Sequence, residues 1–309
     1  MRGGADRLDV AFDLLPCHHV RYRAPCNLAC FYCYERPHEP PRRGALEAAV
    51  EESLDFAARA GYEAVVFGSG ELALVEGHLS ALDRAAALGF REVLLLSNLT
   101  TLDGHRLDDL MDHGLTGLGA TFFTVGDGEA STRVAGRPVY PRQLEVLHLA
   151  RERPELTVTV HLVLTAEVAR DPLGAVLRLR DAVGGTRAMI LSAIEPVSVE
   201  VRGHPDYVHG LDLDWEALLA AAGDEGVALV TQNVPACALG AFAHRSFAVR
   251  RRVARVIAGW PPPADLRAPL SESEVLYGRV EPEGECEGCP LLAVCHRYFD
   301  YPSRRRPEG

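Results

Sequence analysis

"HHVRYRAPCNLACFYCYE", His18 to Glu35, joins two patterns end to end. The first part, His18–Pro25, reads as a β-strand run closed by a proline. The second part carries Cys26, Cys30 and Cys33, spaced CxxxCxxC. The chain has 8 cysteines in 309 residues, so this crowding needs a chemical reason. A strand running straight into the triplet puts the thiols on a loop at the strand's C-terminal end.

Other strand runs share this design. They are Glu63–Gly70 ("EAVVFGSG"), Glu92–Asn98 ("EVLLLSN"), Gly117–Phe123 ("GLGATFF"), Leu156–Thr165 ("LTVTVHLVLT") and Arg187–Glu195 ("RAMILSAIE"). Each is β-rich and most end in Gly, Ser, Asn or Thr. Ala/Leu/Glu-rich segments near 44–60, 76–88, 104–113, 140–152 and 171–183 separate them with helical apolar spacing. Near-continuous apolar strands alternating with helices predict an α/β fold with a parallel sheet. Six such units fit either a doubly wound sheet or a partial (β/α)6 TIM-like barrel. Both folds bind ligands at the C-terminal ends of their strands, so the polar strand endings are the place to seek chemistry.

The rhythm changes near residue 212. A helix-like segment, Asp214–Ala222, leads to "VALVTQN" and "VPACALG", then to an Arg-rich helical stretch and the break "WPPPAD". The expected division is residues 1–212 as the β/α core and 213–309 as a small cysteine-rich unit.

The formal net charge of −11 offers no field for a nucleic-acid backbone. No run reaches the ~18 apolar residues of a membrane span. The opening residues "MRGGADRLDV" lack a signal-peptide apolar core. The expectation is a cytoplasmic protein with no membrane and no nucleic-acid partner. Structural disulfides are rare there, so clustered cysteines read as metal ligands or redox centres.

Two metal chemistries suit Cys26, Cys30 and Cys33. A structural zinc site usually takes CxxC pairs and four protein ligands, with His18, His19 or His38 as the possible fourth. Three cysteines without a local fourth ligand suit a four-iron four-sulfur cluster with one iron left open.

"CNLACFYCYE" resembles the signature of the radical S-adenosylmethionine (SAM) enzymes. In that family an aromatic residue commonly precedes the last cysteine, and Tyr32 fills that place. The resemblance implies a partial β/α barrel and a 4Fe-4S cluster whose open iron binds the amino and carboxylate groups of SAM. An electron from the cluster then cleaves SAM to methionine and a 5′-deoxyadenosyl radical that abstracts a substrate hydrogen. "FGSGELAL" is similar to the family's Gly-Gly-Glu stretch at the methionyl amino group, with Gly68, Gly70 and Glu71 matching in type and Ser69 departing from it. "LLLSNLT" is similar to the family's third strand ending, and the likeness places Ser97 and Asn98 near the cofactor. Thr121 resembles a Ser/Thr found near the ribose. "TVGDGEASTRVAGRPVYPRQLEVL" resembles the segment that follows in peptide-modifying members. Singly, such residues are ordinary turn chemistry. In order at successive strand ends they support one another, and the resemblance spans roughly residues 18–195.

Cys286, Cys289 and Cys295 lie in "ECEGCPLLAVCHRYFDY", spaced CxxC-x5-C. With Cys237 they make four thiolates, enough to close a structural zinc site or to hold an auxiliary cluster. The spacing is similar to the start of the SPASM extension and its shortened relative, the twitch domain. The inventory supports one auxiliary cluster, giving two 4Fe-4S clusters in all. Cys17 is left to pack at the start of the first strand. His18 and His19 are expected to be structural. Glu195 ends the sixth run, either as a carboxylate that binds substrate or moves a proton, or as a loop cap before Pro196. The long stretch Glu195–Gly210 is a candidate substrate cover.

The leading expectation is a radical SAM oxidoreductase or maturase acting on a ribosomally made peptide, with an external flavodoxin- or ferredoxin-type electron donor. A small natural-product precursor is the alternative substrate. A non-catalytic zinc-binding interaction protein is the alternative of another class. An activating enzyme that places a glycyl radical on a partner is a third reading, and it leaves the C-terminal cysteines unexplained.

Overall fold

A computed structural model describes residues 17–250, apart from 21–24, 34–44, 69, 187, 195–198 and 248. Seven strands form one sheet: β1 (Cys17–Val20), β2 (Ala64–Phe67), β3 (Glu92–Ser97), β4 (Gly117–Phe122), β5 (Thr157–Val163), β6 (Ala188–Ser192) and β7 (Ala228–Gln232). They lie in sequence order, and every neighbouring pair is parallel. A doubly wound sheet reverses its strand order at a switch point. This sheet never does, so the choice left open by the sequence falls to the partial barrel, with β1 and β7 as its edges.

Helices follow the strands: α1 (Ala45–Arg59), α2 (His78–Ala87), α3 (Gly104–Asp112), α4 (Gly128–Ala135), α5 (Tyr140–Arg151), α6 (Ala166–Arg170), α7 (Pro172–Ala182), α8 (Val199–Arg202) and α9 (Trp215–Asp224). Side chains alternate along each strand. Val65, Phe67, Val93, Leu95, Leu118, Phe122, Val160, Leu162 and Leu191 join Leu54, Leu82, Leu107, Leu147 and Leu179 of the helices in the main core. On the opposite face Cys17, Ala64, Val66 and Leu94 form a smaller cluster. A Cβ on Gly117 would run into Leu94 Cδ2, so a side chain there would displace the Leu94 tip.

Polar residues in the connecting loops cap the helices. Asp103, Asp127, Thr165, Asp171 and Asp214 each accept from backbone N–H groups opening the next helix. Such caps satisfy donors that have no intrahelical partner.

The strand count differs from the sequence expectation. Six units were expected, and the sheet has seven. β7 lies past residue 212 and pairs with β6 from Ala188↔Ala228 to Ser192↔Gln232, so the sheet runs beyond the expected boundary. The long excursion between β6 and β7, rich in His, Pro and Gly, hides the last β/α unit from a rhythm-based reading. α9 buries Trp215, Leu218, Leu219 and Ala222. Cys286, Cys289, Cys295 and Glu195 lie outside the described residues. Among the described residues, no helix is long and apolar enough to cross a membrane.

Candidate active site

The C-terminal ends of β1 to β4 converge on the cysteine loop. The loop is docked rather than free. Ala29 N donates to Ala135 O at 3.1 Å, and Phe31 N donates to Val134 O at 3.0 Å. These bonds satisfy carbonyls that the end of α4 leaves without an intrahelical partner. Leu28, Cys30, Phe31 and Tyr32 pack on an apolar patch that includes Phe123, Val134, Val163 and Val201. Cys33 N donates to Cys30 O at 3.1 Å, closing a turn between the last two cysteines.

Cys26 is exposed, and Cys30 and Cys33 are half-buried. Surrounding protein still pushes the Cys26 thiol up, ahead of the N–H donors from Leu28 and Asn98 that pull it down. Burial pushes the Cys30 thiol up to about 12, reinforced by the neighbouring charges of Cys33 and Cys26. The Tyr32 hydroxyl is held well above its usual value by burial, then by Cys30 and Cys33. Three thiols that oppose one another's ionisation form a donor set that a cation relieves, because its charge stabilises the thiolates together. This chemistry fits an iron–sulfur cluster. Among the described residues, no three His, Cys, Asp or Glu side chains are already gathered as a metal-binding group.

Glu71 is wholly buried. Ser97 Oγ donates to its Oε1 at 2.7 Å, and Asn98 N donates to its Oε2 at 3.1 Å. Its own N–H donates to Pro25 O at 3.0 Å. One residue thus brackets the ends of β2 and β3 and the base of the cysteine loop. Burial raises its carboxyl to about 7, against the lowering pull of these hydrogen bonds.

The glycines before it answer to geometry. Gly70 has φ +67°, in the left-handed region that favours glycine. A Cβ on Gly68 would stand 3.1 Å from Leu96 Cδ1 and 3.3 Å from His19 Cε1. Ser69 lies outside the described residues. Leu99 also has positive φ, 67°, and its N–H donates to Ser97 Oγ at 2.8 Å. A leucine held there is strained, and the bond to Ser97 helps to hold it.

Several residues at this site escaped the sequence reading. Gln143 of α5 is fully buried and donates from Nε2 to Thr121 O at 2.7 Å and to Asn98 O at 3.1 Å, joining the ends of β4 and β3. Asn27 and Thr100 hydrogen-bond with Asn98. His161 of β5 pairs in register with Thr121 of β4, and burial, then His19, pulls its imidazole down to about 4. Only its place in the alternation of "TVTVH" could have suggested an inward-facing polar group. His18 is structural as expected: its Nε2 lies 2.9 Å from Ser53 Oγ, and its ring packs by Phe56 and Tyr62. Cys17 is buried at the start of β1, also as expected.

The segment after β6 lies against the cysteine loop. The His204 ring stacks on Phe31 at 3.8 Å and 7°. Asp206, almost fully buried, takes two hydrogen bonds from Arg133 of α4, at 3.1 and 3.3 Å. Beside them, Gly126–Glu129, Thr132, Arg133 and Pro138 line an open cleft of about 740 Å³. Cys237 is exposed in the 3-10 segment Ala236–Arg245 after β7, facing a cavity of about 420 Å³ bordered by Asp212, Asp214 and Glu216. Its expected partners lie outside the described residues.

Residues 25–179 match the model of the Radical SAM superfamily. A curated relative, GTP 3′,8-cyclase of Parasynechococcus marenigrum (strain WH8102), is 33% identical over 124 residues, covering 37% of this chain and 35% of that protein. Among solved structures, Streptococcus suis SuiB bound to its precursor peptide SuiA superposes with a TM-score of 0.56 at 14% identity, covering 73% of this chain and 50% of that one. The structure of anSMEcpe with bound AdoMet gives 0.53 at 14% identity, over 69% and 64%. The chain thus spans less than two thirds of each of these relatives, and the structural likeness concerns the fold.

Proposed function

This chain belongs to the radical SAM superfamily, and from that premise we propose that it uses SAM and a 4Fe-4S cluster to abstract hydrogen from a ribosomally made peptide in an oxidative modification. Members of the superfamily are enzymes. The observation that carries this reading is the coupling of the cysteine loop to the strand ends. Cys26 receives an N–H from Asn98 of β3's end, and Pro25 receives one from Glu71 of β2's end.

Cys26, Cys30 and Cys33 would hold the cluster. When bound, the cluster supplies the electron that cleaves SAM to the 5′-deoxyadenosyl radical. The chain's own part is positioning. Gly68 and Gly70 would present side-chain-free backbone at the end of β2 to the cofactor's methionyl end. Ser97 and Asn98 would border the same space, Thr121 on the next strand would lie toward the ribose, and Tyr32 packs on the apolar patch under the cysteine loop. Glu71 shapes the pocket as a bracket. Glu195 remains a candidate for substrate binding or proton movement. An external flavodoxin- or ferredoxin-type donor would supply electrons.

The peptide reading draws support from SuiB, whose solved complex contains a precursor peptide. A small-molecule substrate is the second reading, favoured by the 124-residue likeness to GTP 3′,8-cyclase. Cys237, Cys286, Cys289 and Cys295 are proposed to hold one auxiliary cluster in a twitch- or SPASM-like unit over the end of the chain. Co-expression with candidate peptides encoded beside the gene, followed by mass spectrometry, tests the substrate. A mass loss that depends on Cys26, Cys30 and Cys33 supports a peptide oxidation. Unmodified peptides, with turnover of a small molecule, would favour the second reading.

A further inference from the structure

Asn98 sits one residue past β3, and its side-chain amide is fully committed. Oδ1 accepts from Thr100 N at 2.9 Å and from Thr100 Oγ1 at 2.6 Å. A backbone N–H can only donate, so Oδ1 must face Thr100, and the network fixes the amide's orientation. Nδ2 therefore faces the cysteine loop. It donates to Asn27 Oδ1 at 3.0 Å and to Cys26 Sγ at 3.7 Å. Asn27 is oriented in turn, because its own Nδ2 donates to Thr100 Oγ1 at 2.8 Å. Three side chains close a ring, and its remaining donor points at one sulfur. The backbone of Asn98 is pinned as well. Its N–H goes to Glu71 Oε2, and its carbonyl accepts from Gln143.

Resting on the reading of Cys26 as a cluster ligand, we propose that Asn98 is a positioning residue that raises the reduction potential of that cluster by donating its amide N–H to Cys26 Sγ. Asn27 and Thr100 aim the donor, and the Glu71 bracket holds it in place. A hydrogen bond to a ligating thiolate draws electron density from the sulfur. It therefore stabilises the reduced, more negative cluster more than the oxidised one. Leu28 N adds a second donor to the same sulfur at 3.5 Å. A direct contact between the Asn98 side chain and SAM would cost the amide one of the bonds that orient it.

The test is an EPR-monitored redox titration of the full chain, reconstituted anaerobically and reduced with dithionite through mediators. The signal followed is the one that changes when SAM is added. Asn98→Ala removes the donor. Asn98→Asp keeps the shape and the acceptor for Thr100, but replaces the donor with negative charge. The midpoint is expected to fall in the order wild type, Asn98→Ala, Asn98→Asp, with iron content retained. Thr100→Val, which unlatches the amide, should fall between wild type and Asn98→Ala. Equal midpoints in wild type and both Asn98 variants overturn the inference. Loss of the cluster from both variants also overturns it, since the amide would then hold the loop rather than tune the sulfur. A wild type with no SAM-responsive signal defeats the proposed function itself, which is a separate result.

Discussion

Ser97 Oγ donates to Oε1 of Glu71 across 2.7 Å, with both residues buried at the ends of adjacent strands. Through this bond and the one from Asn98 N, a single carboxyl ties β2 to β3 beside the cysteine loop. Glu71→Ala leaves a hydroxyl and a backbone N–H without their partner in a dry region. The expected loss is about 2–3 kcal/mol of unfolding free energy. Glu71→Gln should lose less, because its carbonyl oxygen still accepts one bond. Urea titration of the metal-free protein checks both, and an unchanged Glu71→Ala midpoint contradicts the bracket.

His161 carries the clearest pH signature. Its imidazole titrates near 6.5 in an unfolded chain and at about 4 when buried in the fold. The native state therefore refuses a proton that the unfolded state accepts. The contribution is fully present above pH 6.5 and is lost as pH falls toward 4. The shift corresponds to roughly 3 kcal/mol over that interval. His161→Gln should flatten this limb of the stability curve relative to wild type. Parallel curves for the two proteins would show that His161 does not titrate in this way.

Arg133 and Asp206 join α4 to the segment that follows β6. Asp206 is 3% exposed in its side chain and Arg133 is 43% exposed, so breaking the pair strands the carboxylate on the inside. Arg133→Ala should lower stability, by an amount that solvent around the exposed guanidinium keeps modest. Hydrogen exchange should rise first across residues 199–213 and the cysteine loop, because Phe31 and His204 stack there. Exchange confined to α4 would contradict the coupling.

The strands were legible because each is a short apolar run with a polar stop, the pattern that a parallel sheet packed under helices imposes. The cysteine loop was legible from spacing alone. β7 was not, because the excursion after β6 masks the alternation. The side-chain ring of Asn27, Asn98 and Thr100 was also hidden. In sequence these are ordinary turn residues, and Asn27 meets Asn98 only when β1 and β3 end on the same side. Glu71 was visible as a strand-end carboxylate, but the sequence could not say that its oxygens turn inward to β3. Gln143 gave no signal on a helix of similar polar residues.

Cys237 separates structure from chemistry in the proposed auxiliary site. A metal shared by Cys237, Cys286, Cys289 and Cys295 closes a long loop and adds stability whatever its identity. Lower stability of Cys237→Ala is thus uninformative about catalysis. If the site serves electron transfer or substrate ligation, folded Cys237→Ala should still cleave SAM while forming little finished product. Full product formation without the second metal contradicts both roles.

Cys26, Cys30 and Cys33 are proposed to hold a cluster that cleaves SAM. The direct measurement is 5′-deoxyadenosine formed under reducing, anaerobic conditions by the reconstituted chain and by its Cys26→Ala/Cys30→Ala/Cys33→Ala variant. Reductant-dependent 5′-deoxyadenosine is expected from the parent and none above background from the triple variant. Its formation at the parent rate by the triple variant would overturn the assignment of these cysteines.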